Sequence, residues 1–518
     1  MPQTLDPNYK PIVKLPPEKK SGGFDVSKAK NNVILLANEF INQSAPLITN
    51  NEELYRWNGK FYDLLSITET HKLIMIFFQD NKIMPAWKHA KAEEMIKAIK
   101  YSPNIEEVKI LDDYDLLMNL NNTIINLDTK EEIPHNPRYF FSYAVDVDYD
   151  KTNTDHPNFT NFLCDLFRTG PGAKDIDMDT VYLILFIMSY LLYPQIKIEQ
   201  MFIFLGIGAN GKSVLIEVIK QFFPSKYVTS LSLGTLSNKE TFSRNSLMWS
   251  RLNIATEDRV GNKVESEEIK KIVSGEQISM RKLYNEPIEI IPRTKFLLAV
   301  NEFFYLNDNS DGANRRLCFI EFKNKFINSD LYAKESDPTK RHLYKSSEKE
   351  KLLASILEEK TAILNTLLTY MATLKNELNW KLPITRNVED VLEDYKAGAD
   401  KLGTWLKENY EIAELTNSDP RALTTTDVLR DFRNYYETDS PGRQFKYSAV
   451  GIGKKIKQLF RVDCVRRSRD LIQPDGSYIN SKVTVYPIQR KVVEDIPEPD
   501  LNPNHRPAPK QQEAEFKE

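Results

Sequence analysis

From Asn31 onward, apolar positions fall into a regular order that residues 1–30 lack. In ELYRWNGKFYDLL they alternate on either side of Asn58-Gly59, a pair suited to the tight turn between antiparallel strands, which predicts a hairpin. HAKAEEMIKAIKY and FTNFLCDLF repeat at helical spacing. LLMNLNNTIINLDTKEEIPHNP breaks into short apolar pairs between turn residues, as short strands do. Together these predict an α+β module over residues 31–172, ending at Gly170-Pro171-Gly172. The run from Val181 to Tyr193 is apolar on every side and too short to cross a bilayer, so residues 173 to about 199 are expected to form a buried apolar helix.

Farther on, the runs MFIFL, LNIAT, KFLLAV and LCFIEF are separated by helical patterns. Strands alternating with helices predict a parallel sheet with covering helices over residues 173–325. In residues 326–387, Leu352, Ile356, Ile363, Leu364, Leu367 and Leu368 lie near helical spacing, which predicts a helical segment. Residues 388–493 contain a helix opened by a threonine cap (LTTTDVLRDF) and a second helix (SAVGIGKKIKQLF). A Pro474-Asp475-Gly476 turn between strands follows. Helices followed by a two-stranded turn describe a winged helix. The Pro- and charge-rich ends, 1–30 and 494–518, are expected to lack fixed structure.

At 518 residues the chain exceeds what one core supports. Its 41% hydrophobic and 28% charged residues suit a soluble protein, and the terminal MPQTLDPNYKPIVKLPPEKK has no apolar leader, which predicts a cytoplasmic protein without membrane contact. A formal charge of -3 gives no global field for nucleic acid, so such contact requires local basic patches or a lined channel. Cys164, Cys318 and Cys464 are too far apart in the chain for a zinc motif and are expected as free thiols.

The sharpest chemical signal is Gly206-Ile-Gly208-Ala-Asn210-Gly211-Lys212-Ser213, between an apolar strand and an amphipathic helix. Glycines let backbone N–H groups turn toward phosphate oxygens, and a helix amino end adds partial positive charge. Lys212 is then expected on the β- and γ-phosphates of ATP, and the Ser213 hydroxyl on Mg²⁺. Glu257 and Asp258, at the end of the next long strand, are the expected metal-holding and water-orienting carboxylates. Asn301 ends a third strand, where it is placed to bond the γ-phosphate or the attacking water. Arg315 and Arg316 precede a fourth, and one of them is expected to reach a neighbouring subunit's phosphate as an arginine finger.

Two stretches are candidates for single-stranded and duplex DNA. Arg281, Lys282 and Tyr284 lie in a basic turn between strand-like pieces, suited to gripping phosphates and packing on sugar or base. Lys454, Lys455, Lys457, Arg466 and Arg467 lie in the winged-helix segment, where they are candidates for phosphate contacts. A non-helicase P-loop ATPase that remodels or packages DNA is the alternative that would keep the same nucleotide residues.

The motif order resembles the superfamily 3 helicases of the phage and plasmid primase type, related to the poxvirus D5-like proteins. It is also similar to replication initiators of staphylococcal mobile genetic islands. The resemblance rests on Trp57-Asn58-Gly59, LNNTIINLDTKEEIPHNP and VDVDYDKTNTDHPNFTNFL, then GANGKS, IATED, KKIVSGEQISMRKLY, FLLAVNEF and DGANRRLCFIEF, over roughly residues 50–325. It implies an AAA+ core in a homo-hexamer that translocates on single-stranded DNA, usually 3'-to-5'. It also implies loading at a replication origin with host replication proteins. On this chain it implies Asn301 as sensor, Arg315 or Arg316 as finger and Lys282 in a pore hairpin. Glu257-Asp258 departs from the usual Asp-first pair, which leaves the general base open between them. The pair Asp146-Val-Asp148 has a superficial likeness to a primase metal pair, but a strand and turn explain it better.

Overall fold

The computed structural model of the chain describes residues 31–169, 175–238, 242–257, 264–281, 287–308, 310–327, 343–345, 348–412, 423–439, 445, 447–462, 465–472 and 478–491. At 257, 281, 343–345, 465–472 and 478–484 it describes the backbone alone. Both ends, 1–30 and 494–518, and Cys464 lie outside the described residues. The chain divides into two compact units, Met1–Tyr395 and Lys396–Glu518.

The first unit opens with helix α1 (Val33–Gln43), capped by the Asn32 side chain, which accepts from the Leu35 amide. Strands β1 (Leu47–Asn50), β2 (Glu53–Trp57) and β3 (Tyr62–Leu64) follow, and the expected hairpin pairs Trp57 with Tyr62. Gly59 turns it at φ +101°, which only glycine adopts without strain, while Asn58 Oδ1 accepts from the Lys60 and Phe61 amides. Helices α2 (Ile67–Asp80) and α3 (His89–Lys100) join α1 around Leu36, Phe40, Ile74, Phe78, Met95 and Ile99. Strand β4 (Glu106–Glu107) lies parallel to β1. Strands β5 (Leu117–Asn119), β6 (Ile124–Asn126) and β7 (Glu132–Ile133) form an antiparallel meander.

Residues 31–172 are not a separate packing unit. Met118, Ile125, Tyr143, Phe159 and Leu163, from the meander, the segment after it and helix α4 (Pro157–Leu166), share one apolar cluster with the central sheet. Helix α5 (Met178–Leu192) is shorter than the 173–199 segment assigned to it. Twelve of its 15 residues are buried, so its uniform apolarity reflects cover on all sides. Among the described residues no helix is long and apolar enough to cross a membrane.

The central sheet contains β8 (Met201–Leu205), β9 (Val228–Thr229), β10 (Leu252–Glu257), β13 (Lys295–Val300) and β14 (Leu317–Glu321). Its order is β14-β8-β13-β10-β9, parallel throughout. Along β8, Phe202 and Phe204 enter one cluster while Met201, Ile203 and Leu205 enter the other, so the strand reads as an unbroken apolar run. Helices α6 (Lys212–Lys220), α7 (Leu233–Ser237), α8 (Ser266–Val273) and α9 (Asp311–Asn314) connect it, and β11 (Ile278–Arg281) pairs antiparallel with β12 (Pro287–Ile290) as a two-stranded ribbon.

The segment 326–387 is not wholly helical. Strands β15 (Lys325–Ile327) and β16 (Leu343–Lys345) pair in parallel before α10 (Lys349–Glu358) and α11 (Lys360–Asn376) bring Ile356, Ile363, Leu364, Leu367 and Leu368 into the core. Helix α12 (Arg386–Ala399) seats Val391 and Tyr395 against the sheet, so the first unit ends at Tyr395 and not before Val388. The first unit is thus an α/β core with an α+β segment ahead of it.

The base of the sheet is clamped by a buried ionic cluster that no local pattern announces. Arg251, just before β10, is ion-paired with Asp112, which also accepts from the Ser142 amide at 2.7 Å and hydroxyl at 2.5 Å. Arg251 lies over the Tyr143 ring, 4.8 Å from its centroid, and Arg293 bonds the Asp112 carbonyl. Nearby, Lys295 donates to the Tyr193 carbonyl; burial first, then Arg251 and Arg293, hold its ammonium well below the usual lysine range. Asp112 is 1% exposed, so Asp112→Ala strands Arg251 without its counter-charge. We expect a loss of about 3–5 kcal/mol, read as a lower urea midpoint; an unchanged midpoint would show that the cluster does not hold the segments together.

The second unit contains α13 (Lys401–Asn409), β17 (Tyr410–Ile412), β18 (Leu423–Thr424), α14 (Thr425–Asp439), α15 (Ala449–Phe460), β19 (Val465–Ile472), β20 (Tyr478–Tyr486) and β21 (Ile488–Arg490). The expected threonine cap is Thr424: its hydroxyl oxygen accepts from the Asp427 amide, and the Asp427 carboxylate accepts from the Thr424 amide. Trp405, Leu406, Val428, Phe432, Ile452, Ile456 and Ile488 form the core. Strands β19 and β20 pair antiparallel over eight residue pairs. The turn expected at Pro474-Asp475-Gly476 lies outside the described residues.

Candidate functional site

Strand order reverses beside β8: the chain leaves β8 for β9 at one edge of the sheet, returns through β10 to β13, and then passes β8 to reach β14 at the other edge. In an open parallel sheet, ligands bind beyond the carboxyl ends of the strands at such a point. The Gly206–Gly211 loop stands there, leading directly into α6. Three bonds fasten it: the Gly206 amide to the Val300 carbonyl at 3.1 Å, the Phe326 amide to the Ala209 carbonyl at 2.7 Å, and Asn210 Nδ2 to the Phe322 carbonyl at 3.3 Å.

Two glycines are required by this geometry. A Cβ on Gly206 would stand 2.1 Å from Asn210 Nδ2 and 2.7 Å from the Phe322 carbonyl, and one on Gly211, at φ +82°, 2.3 Å from Leu166. At Gly208 a Cβ meets nothing within 4 Å, so the loop is open to solvent on that side. Ala209 also has a left-handed backbone, φ +60°. Left-handed residues interspersed in such a loop converge backbone N–H groups on an anion. Among the described residues, no acceptor in the chain engages the N–H groups of Ile207 through Ser213. The arrangement can hold a phosphate.

Lys212 is buried, 6% exposed, beneath this loop. Its ammonium donates to the Gly206 carbonyl at 2.5 Å and to Asn210 Oδ1 at 3.0 Å. Burial brings its pKa down to about 8. A charge held only by neutral acceptors is poised for a stronger, anionic one. Ser213, the next residue of α6, is exposed at the mouth of the loop, where its hydroxyl is open to a ligand.

The strand register brings the other expected residues to the same edge. Leu205 pairs with Val300 and with Glu321, and Val300 with Glu257, in one row. Asn301, one residue past that row on the strand beside β8, is exposed. The Glu257 backbone lies two strands from the loop, about 10 Å away at the usual strand spacing. Its side chain and Asp258 lie outside the described residues.

The arginine pair is elsewhere. The Met201 amide bonds the Arg316 carbonyl, which places both arginines beside the amino end of β8, about 16 Å from the loop across a five-residue strand. They also differ from each other. Arg316 is 9% exposed and donates to Ser274 Oγ at 3.0 Å, the Gly312 carbonyl at 2.7 Å and Glu199 at 3.4 Å. Arg315 is exposed.

For the DNA candidates, β11 and β12 form the two strands expected to flank the basic turn. Lys282, Tyr284 and the Arg281 side chain lie outside the described residues. On α15, Lys454 and Lys457 are exposed and share a face, while Lys455 is tied to Asp400 at 2.5 Å. The side chains of Arg466 and Arg467, on β19, lie outside the described residues. Asp146 is occupied structurally, accepting from Asn121 Nδ2 at 2.9 Å with Lys360 at 3.6 Å. Sequence reasoning missed the Asp112–Arg251 cluster, whose partners are 139 residues apart, and it missed the loop acceptors that hold Lys212.

Comparison with known proteins matches residues 48–168 to the family described as D5 N terminal like, and residues 204–316 to the family of unknown function DUF5906. The chain is 24% identical over 429 residues to "Putative helicase L207/L206" of Acanthamoeba polyphaga mimivirus, covering 79% of this chain and 41% of that protein. It is 21% identical over 351 residues to "Putative primase C962R" of African swine fever virus, covering 64% of this chain and 34% of that protein. The chain thus spans less than half the length of the curated relatives it matches. Among solved structures, the apo NrS-1 C-terminal region aligns with a TM-score of 0.45 at 11% identity, covering 88% of this chain and 98% of that one. The D5 N-terminal-like match and the two viral relatives together make the chain similar to D5-like viral primase and helicase proteins.

Proposed function

We propose that the chain is the motor of an ATP-dependent DNA helicase that acts in replication initiation, with a P-loop core of AAA+ type assembled as a homo-hexameric ring. The observation that carries this reading is the buried Lys212 ammonium under a loop of undonated N–H groups at the reversal point of the sheet. A triphosphate entering the loop would draw Lys212 from the Gly206 carbonyl and Asn210 onto its own oxygens. Ser213 and the Glu257-Asp258 carboxylates would hold Mg²⁺, which supplies charge neutralisation for phosphoryl transfer. Asn301, one strand from the loop, would bond the γ-phosphate or the attacking water.

Arg315 lies at the far edge of its own sheet, so a finger role requires a second subunit. Such a relation is head-to-tail, the kind of interface that forms a ring when the rotation between subunits closes. The β11–β12 ribbon would carry Lys282 and its neighbours to the strand being moved, while the second unit, read as a winged helix, would offer Lys454 and Lys457 to duplex phosphates.

Strand displacement on forked DNA tests this reading, with both fork polarities present. The unaltered chain is expected to displace strands with ATP, with single-stranded DNA stimulating its turnover. Lys282→Ala is expected to keep most basal turnover while losing displacement and stimulation. DNA-stimulated turnover without displacement on either fork would favour the alternative, a remodelling or packaging ATPase.

A further inference from the structure

The N-terminal helices carry a cluster that the motor reading leaves unused. His71 projects from α2, and His89 and Glu93 lie one turn apart on one face of α3. His71 Nε2 and Glu93 Oε1 are 2.7 Å apart, and the two imidazoles stack with centroids 4.7 Å apart at 29°. One ligating atom from each of the three residues lies within 4.8 Å of the others. Among the described residues, no other group of three His, Cys, Asp or Glu side chains comes together in this way.

We propose that His71, His89 and Glu93 bind a zinc ion that staples α2 to α3. Zinc holds imidazole nitrogens at about 2.0–2.1 Å and carboxylate oxygens at about 2.0–2.2 Å, which sets tetrahedral donors roughly 3.3–3.5 Å apart. The donors, 2.7 Å apart for His71 and Glu93 and within 4.8 Å of one another overall, are within about 1.5 Å of that spacing, and side-chain rotations close the difference. Two nitrogens and one oxygen suit zinc and disfavour Mg²⁺ and Ca²⁺, which take oxygen ligands. The His71 side chain is 15% exposed and fixed between helices, whereas Glu93, at 45%, and the exposed His89 are free to adjust. Three protein ligands leave a fourth position for water on the exposed side. The ion binds the folded arrangement of the two helices and not the unfolded chain, so its binding free energy adds to the stability of the fold. The proposal is independent of the nucleotide site, since no residue is shared.

The test uses the full chain without a histidine tag, stripped with EDTA and titrated with zinc by calorimetry. Cobalt(II) absorption follows as a probe of coordination. One zinc per chain, a four-coordinate cobalt band and a higher melting temperature with zinc are expected. His89→Ala is expected to melt as the parent does without metal, to bind zinc at least about 10-fold more weakly and to lose the zinc-induced rise. Glu93→Gln, which keeps the shape and removes the charge, is expected to weaken binding in the same direction. No zinc uptake by the parent, or equal uptake and equal thermal shift in parent and His89→Ala, overturns the site.

Discussion

Lys212→Ala is expected to lower ATP turnover by about 100-fold or more while leaving the fold intact. The lysine is buried, but its partners are the Gly206 carbonyl and Asn210 Oδ1, neutral groups that keep one another and solvent as alternatives once it is gone. No counter-charge is stranded, unlike at Asp112. The transferred phosphoryl group, by contrast, would lose the only cation placed directly beneath the loop among the described residues.

A proton signature makes this prediction specific. In the free protein the Lys212 pKa is lowered to about 8, because burial penalises the charged form. Phosphate oxygens favour the charged form, so binding raises that pKa. Near pH 8 the free side chain is partly neutral and the bound one charged, so nucleotide binding takes up protons and weakens as pH rises through that value. Calorimetry at pH 8 in two buffers of different ionisation enthalpy reads the uptake directly. Zero uptake by the parent, or the same uptake by Lys212→Ala, would remove Lys212 from the phosphate site.

The second large effect separates the two arginines. Arg315→Ala is expected to reduce turnover by about 1,000-fold with unchanged thermal stability, since the side chain is exposed and a finger stabilises transition-state charge. Arg316→Ala is expected to act chiefly on folding, by about 1–3 kcal/mol, because it removes bonds to Ser274, the Gly312 carbonyl and Glu199. Mixing supplies the decisive control. Lys212→Ala subunits keep Arg315, and Arg315→Ala subunits keep Lys212, so in the proposed ring a mixture would regain interfaces in which both are present. Each variant alone is expected to be nearly inactive and the mixture measurably active. A mixture no more active than its components would place the two residues outside a shared site.

Much of this molecule is written locally. Met201 to Leu205 announces a doubly covered strand because both its faces are apolar, and the structure buries all five residues. The hairpin at Asn58-Gly59, the Thr424 cap and the β8–loop–α6 order likewise depend on contacts within a few residues, where chain connectivity already supplies proximity. Gly206 and Gly211 were legible as loop glycines, but the reason each is needed was not. Asn210, Phe322 and Leu166 close on them only after the chain has folded.

What tertiary structure alone decided has a common cause: it depends on which distant segments share a low-dielectric interior. Residues 31–172 have the pattern of their own module, yet apolar side chains between Met118 and Phe167 join the cluster that holds one face of the central sheet, so no core boundary falls at 172. Arg315 and Arg316 are chemically identical neighbours in sequence. One is spent on Ser274, Gly312 and Glu199 and the other faces solvent, a division set by the packing of α8 and α9 beside β14. Asp112, Arg251 and Arg293 look like ordinary surface charges along the chain, and burial turns them into a clamp. The amino-acid sequence by itself determined the strands, the caps and the chemistry available at the loop, because those follow from short-range spacing. Which charges are free, which are locked and which helices meet followed from long-range packing.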